Sequence, residues 1–330
     1  MSNLETSPDE LLCPSDPGPL VAGVQILAPR LVPLGGPRAM TVRRTLPQRG
    51  RSLIGAWCFV DHYGPHHIKN NPPMAVPPHP HTGLATLSWL FSGEILHADS
   101  AGNHTLIRPG ELNLMTAGRG ISHSEYSTPT THTLHGVQLW AALPDAARFT
   151  WPKFEHYRPV PRQLPGVVIS VFLGSALGEH SPVETFTPMV GAEIRLDAGA
   201  ALTLDLAPGF EHGFLVDTGS PSIAGTTVAS NELAYLGLGH DTVHLVAGHA
   251  PVRLLFIGGE PLNESILMWW NFVGRTHEEI VAFRAAWQAV IGQEPGGAQF
   301  TFTLPTGQRD APLPAPALPT VRLRPRANPS

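Results

Sequence analysis

His79-Pro80-His81-Thr82-Gly83 opens, and Gly118-Arg119-Gly120-Ile121-Ser122-His123-Ser124-Glu125-Tyr126 closes, the stretch that decides the fold. Each end carries two candidate metal ligands at i and i+2. In extended backbone such residues project to one face. Two extended pairs lying side by side would bring three imidazoles and one carboxylate around one ion. Between them run apolar, β-prone segments such as Thr86-Leu87-Ser88-Trp89-Leu90-Phe91, punctuated by Gly93, Gly102 and Gly110. The pattern predicts a small β-barrel with ligands on its inner wall. The competing reading makes the four residues polar groups at a barrel rim, hydrogen-bonded to backbone and water.

Working outward, strands are expected at 84–91, 94–98, 104–108, 111–116 and 133–140. Short strands with regular turn signals indicate an antiparallel sandwich or barrel. Upstream, extended segments are expected near Gly23–Leu27, Ala39–Leu46 and Ile54–Val60, with Asp61-His62-Tyr63-Gly64-Pro65 as a turn. Residues 64–80 read as a loop delivering His79. Beyond a Pro- and Arg-rich connection the strand pattern starts again, from Val167–Leu173 to Val252–Ile257. The expected division is a disordered leader at 1–22, a metal-binding barrel at 23–150, a crossover at 151–184, a second barrel with a helix at 185–292, and a tail at 293–330, frayed after 304. Thr276 and Glu279 form a capping-box signal for a helix at 277–291, with Ile280, Phe283, Ala286 (or Trp287) and Val290 as its apolar stripe. The fold class is therefore all-β, two tandem barrels with a short C-terminal helix.

The 330 residues carry a net charge of −5 and lack a basic block in the core region, which argues against direct nucleic-acid binding. Two cysteines, Cys13 and Cys58, make no disulfide framework. Cys58, in an apolar run, reads as a small buried hydrophobe. No apolar run is long enough to span a membrane, and the first residues lack a secretory signal pattern. A soluble cytoplasmic protein is expected.

Among 17 histidines some close pairs arise by chance, and His66-His67 and His132-x-x-His135 suit surface roles or roles supporting the ligands from behind. His79, His81, His123 and Glu125 stand out because two i, i+2 pairs flank one strand-rich stretch. A nitrogen and oxygen set without sulfur suits Fe(II), Mn(II), Ni(II) or Co(II) with two open positions. Zinc stays as an alternative. Pro80 fixes its own φ and biases His79 towards extended backbone, without losing a ladder bond if that strand lies at an edge.

The chain resembles the pirins, of the cupin superfamily. His79-Pro80-His81-Thr82-Gly83, Thr116-Ala117-Gly118-Arg119-Gly120-Ile121-Ser122-His123-Ser124-Glu125 and Gly136-Val137-Gln138-Leu139-Trp140 carry the resemblance, with Met268-Trp269-Trp270-Asn271-Phe272-Val273 similar to bacterial members. It implies a bicupin of jelly-roll barrels with metal only in the first, held by His79, His81, His123 and Glu125. The glutamate that many cupins place shortly after the HxH is absent, since Ala85 and Thr86 stand there. Some pirins are similar to quercetin 2,3-dioxygenases; others resemble metal-dependent regulators that bind transcription factors or metabolic enzymes. The first implies a flavonol-like substrate and O2, Fe(II) ahead of Ni, Mn, Co or Zn, and Glu125 accepting the substrate proton. Phe59, Trp89 and Phe91 are candidates to enclose a flat ligand. Arg119 reads as a rim arginine, and His62 and His135 as structural histidines or partners orienting the ligands.

Overall fold

The expected strands assemble into two sandwiches of the same plan. The computed structural model describes residues 23–34, 40–294, 300 and 302–326. The first sandwich has a seven-stranded sheet in the order Lys153–Tyr157, Leu112–Thr116, Leu84–Ser92, Thr133–Ala142, Trp57–His67, Met40–Leu46 and Arg30–Leu34. Opposite it lies a four-stranded sheet ordered Ala75–His81, Ile121–Ser127, Ile95–Asp99 and His104–Ile107. The second repeats this with seven strands, Gln25–Leu27, Leu233–Leu236, Glu211–Thr218, Val252–Gly259, Met189–Leu196, Val167–Leu173 and Arg162–Leu164. Its smaller sheet holds Ala201–Asp205, Thr242–Val246, Ser222–Ile223 and Thr226–Thr227.

The two larger sheets meet and share one core. Trp57 donates its indole N–H to the Gly258 carbonyl at 3.0 Å, and Trp89 donates to Glu193 at 2.7 Å and packs on Phe172. Leu84–Ser92 is consequently buried on both faces over most of its length. Ala201–Asp205 and Thr242–Val246, with one face in water, alternate strictly instead. Each fully buried large side chain in this seam contributes roughly 2–3 kcal/mol. Cys58 sits there as a buried free thiol.

Several expectations need correction. Asp61–Pro65 is not a turn, because the strand continues to His67. Asp61 is pinned by a buried bidentate pair with Arg44, and the Gly64 irregularity appears as a register shift against Leu134–Gly136. The end of the supposed 64–80 loop is a strand, Ala75–His81, at the edge of its sheet, where its prolines interrupt no second ladder. The 151–184 crossover contains two strands of the second large sheet, Arg162–Leu164 and Val167–Leu173. Gln25–Leu27 pairs with Leu233–Leu236 and so belongs to the second barrel, although it lies within 23–150.

The reverse exchange occurs at the other end. The hairpin Leu267–Trp269 and Phe272–Gly274 docks on the first barrel, where Val273 N–H donates to the Thr82 carbonyl at 3.0 Å. Gly83 has φ +68°, and a Cβ there would lie 2.0 Å from the Val273 carbonyl oxygen. Behind the hairpin the helix His277–Val290 is capped by Thr276, which accepts from Glu279 N–H, and it buries Ile280, Phe283, Ala286 and Trp287. Between residues 304 and 326 the described chain is packed rather than frayed. Leu313 N–H donates to the Pro78 carbonyl, Trp287 donates to the Leu313 carbonyl, and Leu313 and Ala315 are buried. That packing needs no periodicity, which is why composition concealed it. The 1–22 leader and parts of the tail lie outside the described residues. No helix among the described residues is long and apolar enough to cross a membrane.

Candidate metal centre

The small sheet of the first barrel aims its polar row inward. His123 lies directly across from His79, and Ile121 from His81, before a register shift between His123 and Glu125. The side chains of His79, His81, His123 and Glu125 are all buried, at 0–1% exposure. Nitrogens of His79, His81 and His123 lie within 4.8 Å of one another. Glu125 falls in a second group of the same tightness, with His97 and His123. The spacing thus brought three imidazoles together as expected, while the carboxylate sits to the His123 side of the cluster.

Burial holds the pKa values of His79, His81 and His123 well below the ordinary imidazole value, so all three rings are neutral. The tautomer of His79 follows from its partner. Its Nδ1 is 2.9 Å from the Pro77 carbonyl, which only accepts, so Nδ1 carries the proton. Nε2 is then a bare lone pair, buried and with no hydrogen-bond partner. His81 Nε2 and His123 Nε2 face each other at 3.1 Å. Two lone pairs cannot share that gap unless a proton or a cation lies between them. The Asn271 carbonyl faces the His81 ring and favours its protonated form. The geometry falls short of a hydrogen bond, and His81 Nδ1 makes none. Neutral nitrogens converging on one point, with a buried orphan lone pair, fit a divalent transition metal.

The aromatic wall differs from expectation. Trp140 stands edge-on to His81 at 5.2 Å and Phe59 stacks on Trp140 at 4.0 Å. Trp89 and Phe91, two residues apart, both face the other barrel. Phe91 lies under the Arg253 guanidinium, edge-on to His62 and His135. His62 and His135 do not orient the ligands. Their Nε2 atoms lie 2.8 and 2.6 Å from one oxygen of Asp217 in the second barrel. Burial works to raise the Asp217 pKa, but the bonds from His135 and His62 outweigh it and hold the carboxyl well below its usual range. Arg119 lies over the exposed Trp151, as a rim residue should.

Two inward residues went unnoticed in the sequence, His97 and Asp99. His97 is the cross-strand partner of Glu125, and Asp99 of His123. Their signal was available, since His97-Ala98-Asp99 repeats the i, i+2 spacing of the flanking pairs.

Against known proteins, the Pirin family model matches residues 39–141, and that of the pirin C-terminal cupin domain matches 191–291. The chain belongs to the pirin family. This pirin is 42% identical over 278 residues to a Pseudomonas aeruginosa protein provisionally named a quercetin 2,3-dioxygenase, covering 84% of this chain and 85% of the relative. A crystal structure of quercetin 2,3-dioxygenase from Acinetobacter baumannii superposes with a TM-score of 0.81 at 36% identity, over 92% of this chain and 98% of that one. The Escherichia coli pirin YhhW, solved in complex with nickel(II), shares the fold at a TM-score of 0.56 and 17% identity, over 72% of this chain and 100% of its own. The two tandem barrels of this pirin are thus cupin domains.

Proposed function

We propose that this pirin is a metal-dependent dioxygenase that opens flavonol-type substrates with O2 in the cytoplasm. His79, His81, His123 and Glu125 are assigned to one divalent ion, Fe(II) ahead of Ni, Mn, Co or Zn. The observation that carries the reading is the buried cluster of three neutral imidazoles, with a lone pair on His79 Nε2 that has no partner. The names of the P. aeruginosa and A. baumannii relatives support the substrate class. The ion, when bound, would supply Lewis acidity and a template for the substrate oxygens. Glu125 takes the proton of the substrate hydroxyl, for which a carboxylate on the inner face is the appropriate base. The Phe59–Trp140 stack presents a flat apolar wall beside His81 and keeps water from the ring being opened.

One observation favours a second reading, a metal-binding regulatory protein that engages a protein partner without turnover. All four assigned ligands are 0–1% exposed, so a substrate reaches them only if the barrel opens. Anaerobic reconstitution with Fe(II), followed by O2 uptake with quercetin, separates the two. Metal-dependent uptake with a ring-cleaved product, absent in His81→Ala, is expected. Stoichiometric metal binding without uptake for any loaded metal would overturn the dioxygenase and leave the regulator.

A further inference from the structure

We propose that Asp99 and His97 are positioning residues that set the tautomer of His123 and thereby turn its Nε2 lone pair towards the metal; the inference rests on the metal centre proposed above. The chain of contacts has a direction, imposed from its far end. Asp99 is fully buried, and its Oδ1 accepts from Ala101 N–H at 2.9 Å, Asn103 N–H at 3.0 Å and Asn103 Nδ2 at 3.0 Å. Its Oδ2 accepts from Asn103 Nδ2 at 2.8 Å and faces His97 Nε2 at 3.3 Å. A carboxylate only accepts, so His97 Nε2 carries the proton, and in the neutral ring His97 Nδ1 is left as a lone pair. That lone pair lies 3.3 Å from His123 Nδ1. His123 Nδ1 must therefore donate, and its Nε2, the atom facing His81, is unprotonated. The His97 ring is held for this by Phe154, stacked on it at a centroid distance of 4.8 Å and an interplanar angle of 28°.

His97 could instead be a ligand itself, since it groups with His123 and Glu125. The geometry speaks against this. His97 meets His123 at Nδ1, on the opposite side of the ring from the nitrogen that faces His81. It stands one ring behind the cluster.

Asp99→Asn tests the direction with almost no change of shape. Two backbone N–H donors at Oδ1 oblige the Asn carbonyl to sit there, which puts the amide NH2 opposite His97 Nε2 and leaves Asn103 Nδ2 to donate to Oδ1 alone. His97 then becomes the Nδ1–H tautomer, and His123 is driven to Nε2–H, blocking the metal. The experiment is a chelator-competition titration of the full chain with Ni(II), alongside two-bond 15N–1H spectra that read the His123 tautomer in the metal-free protein. Asp99→Asn is expected to weaken Ni(II) by about 10- to 100-fold, with circular dichroism retained and the His123 proton moved from Nδ1 to Nε2. Should that variant not fold, His97→Phe keeps the packing on Phe154 and removes the hydrogen bonds; a loss of similar size is expected. Unchanged affinity and tautomer in a folded Asp99→Asn protein would overturn the proposal while leaving the metal centre intact. Complete loss of binding in His97→Phe, equal to that in His81→Ala, would also overturn it by making His97 a ligand. If the wild type binds no metal, the metal reading fails, and the spectra still decide the chain. A His123 proton on Nδ1 upholds it and one on Nε2 refutes it.

Discussion

Replacing Asp217 with alanine should loosen the two barrels from each other. This carboxylate reaches from the second barrel into the first and is 2% exposed. It accepts from His62 and His135 at one oxygen, and from Arg253 Nε at the other at 2.6 Å. Alanine removes both acceptor oxygens and so strands all three donors at once. Breaking a buried pair from one side costs about 3–5 kcal/mol, and each buried donor left unsatisfied about 1–3 kcal/mol. Two facts moderate the sum. Arg253 is 25% exposed, so water screens part of its orphaned charge. His62 is a neutral donor rather than a cation, because burial lowers its pKa despite Asp217. We expect a destabilisation of about 3–5 kcal/mol at pH 7.5. Urea unfolding should be followed by far-ultraviolet circular dichroism and tryptophan fluorescence together. Wild type should give one coincident transition, and Asp217→Ala two that separate, since the lost bonds cross the seam. Asp217→Asn, which can keep an acceptor towards both rings, should cost less. A loss below about 1 kcal/mol with coincident transitions would refute the reasoning.

Three further predictions follow from individual residues. His212 is buried beside Phe256 and its pKa is pushed down to about 4 by burial and the nearby His240. The unfolded ring binds its proton near pH 6.5, so the stabilisation is complete above that value and is lost as pH falls towards 4. His212→Phe should therefore lose roughly 3 kcal/mol less than wild type between pH 7 and 4, in denaturant titrations at each pH. Gly83→Ala should cost about 2–5 kcal/mol, because alanine is strained at positive φ and its Cβ would strike the Val273 carbonyl. Thermal melts with Ni(II) titration check this, and a near-native melting temperature would contradict the tight docking of the hairpin. Burial pushes the Cys58 thiol up to about 12, so native protein should leave it unalkylated by iodoacetamide at pH 8, while unfolded protein reacts. Peptide mass mapping distinguishes the two.

The candidate site was legible because two short motifs carried both potential ligand chemistry and β periodicity. HPH and HSE need only adjacent extended strands to converge, and Ala75–His81 pairs with Ile121–Ser127 as required. Helix His277–Val290 was legible for a similar reason, with a cap and a stripe written locally. Long-range features were hidden. Nothing local tells which face of Trp89 and Phe91 meets the second barrel, since the strand is buried on both sides and loses its alternation. Asp61-His62-Tyr63-Gly64-Pro65 has turn composition, but pairing with Thr133–Ala142 outweighs it and keeps the backbone extended. His62, His135 and Asp217 come from three distant strands, so no spacing rule could join them. His97-Ala98-Asp99 was different, as its signal was present and was masked by its resemblance to an ordinary strand.

The exchange of chain ends orders events during synthesis. The first barrel is made early, yet the hairpin that closes beside His81 and the segment that crosses Pro78 are made last. The second barrel receives its edge strand, Gln25–Leu27, from the very start of the described chain. The first half can therefore not finish folding while the ribosome still holds the second, whereas the second finds its borrowed strand already made. An ion meeting the candidate site before release would find one wall missing. The same interlacing means that cutting the gene between the barrels would yield two fragments, each lacking a piece encoded in the other.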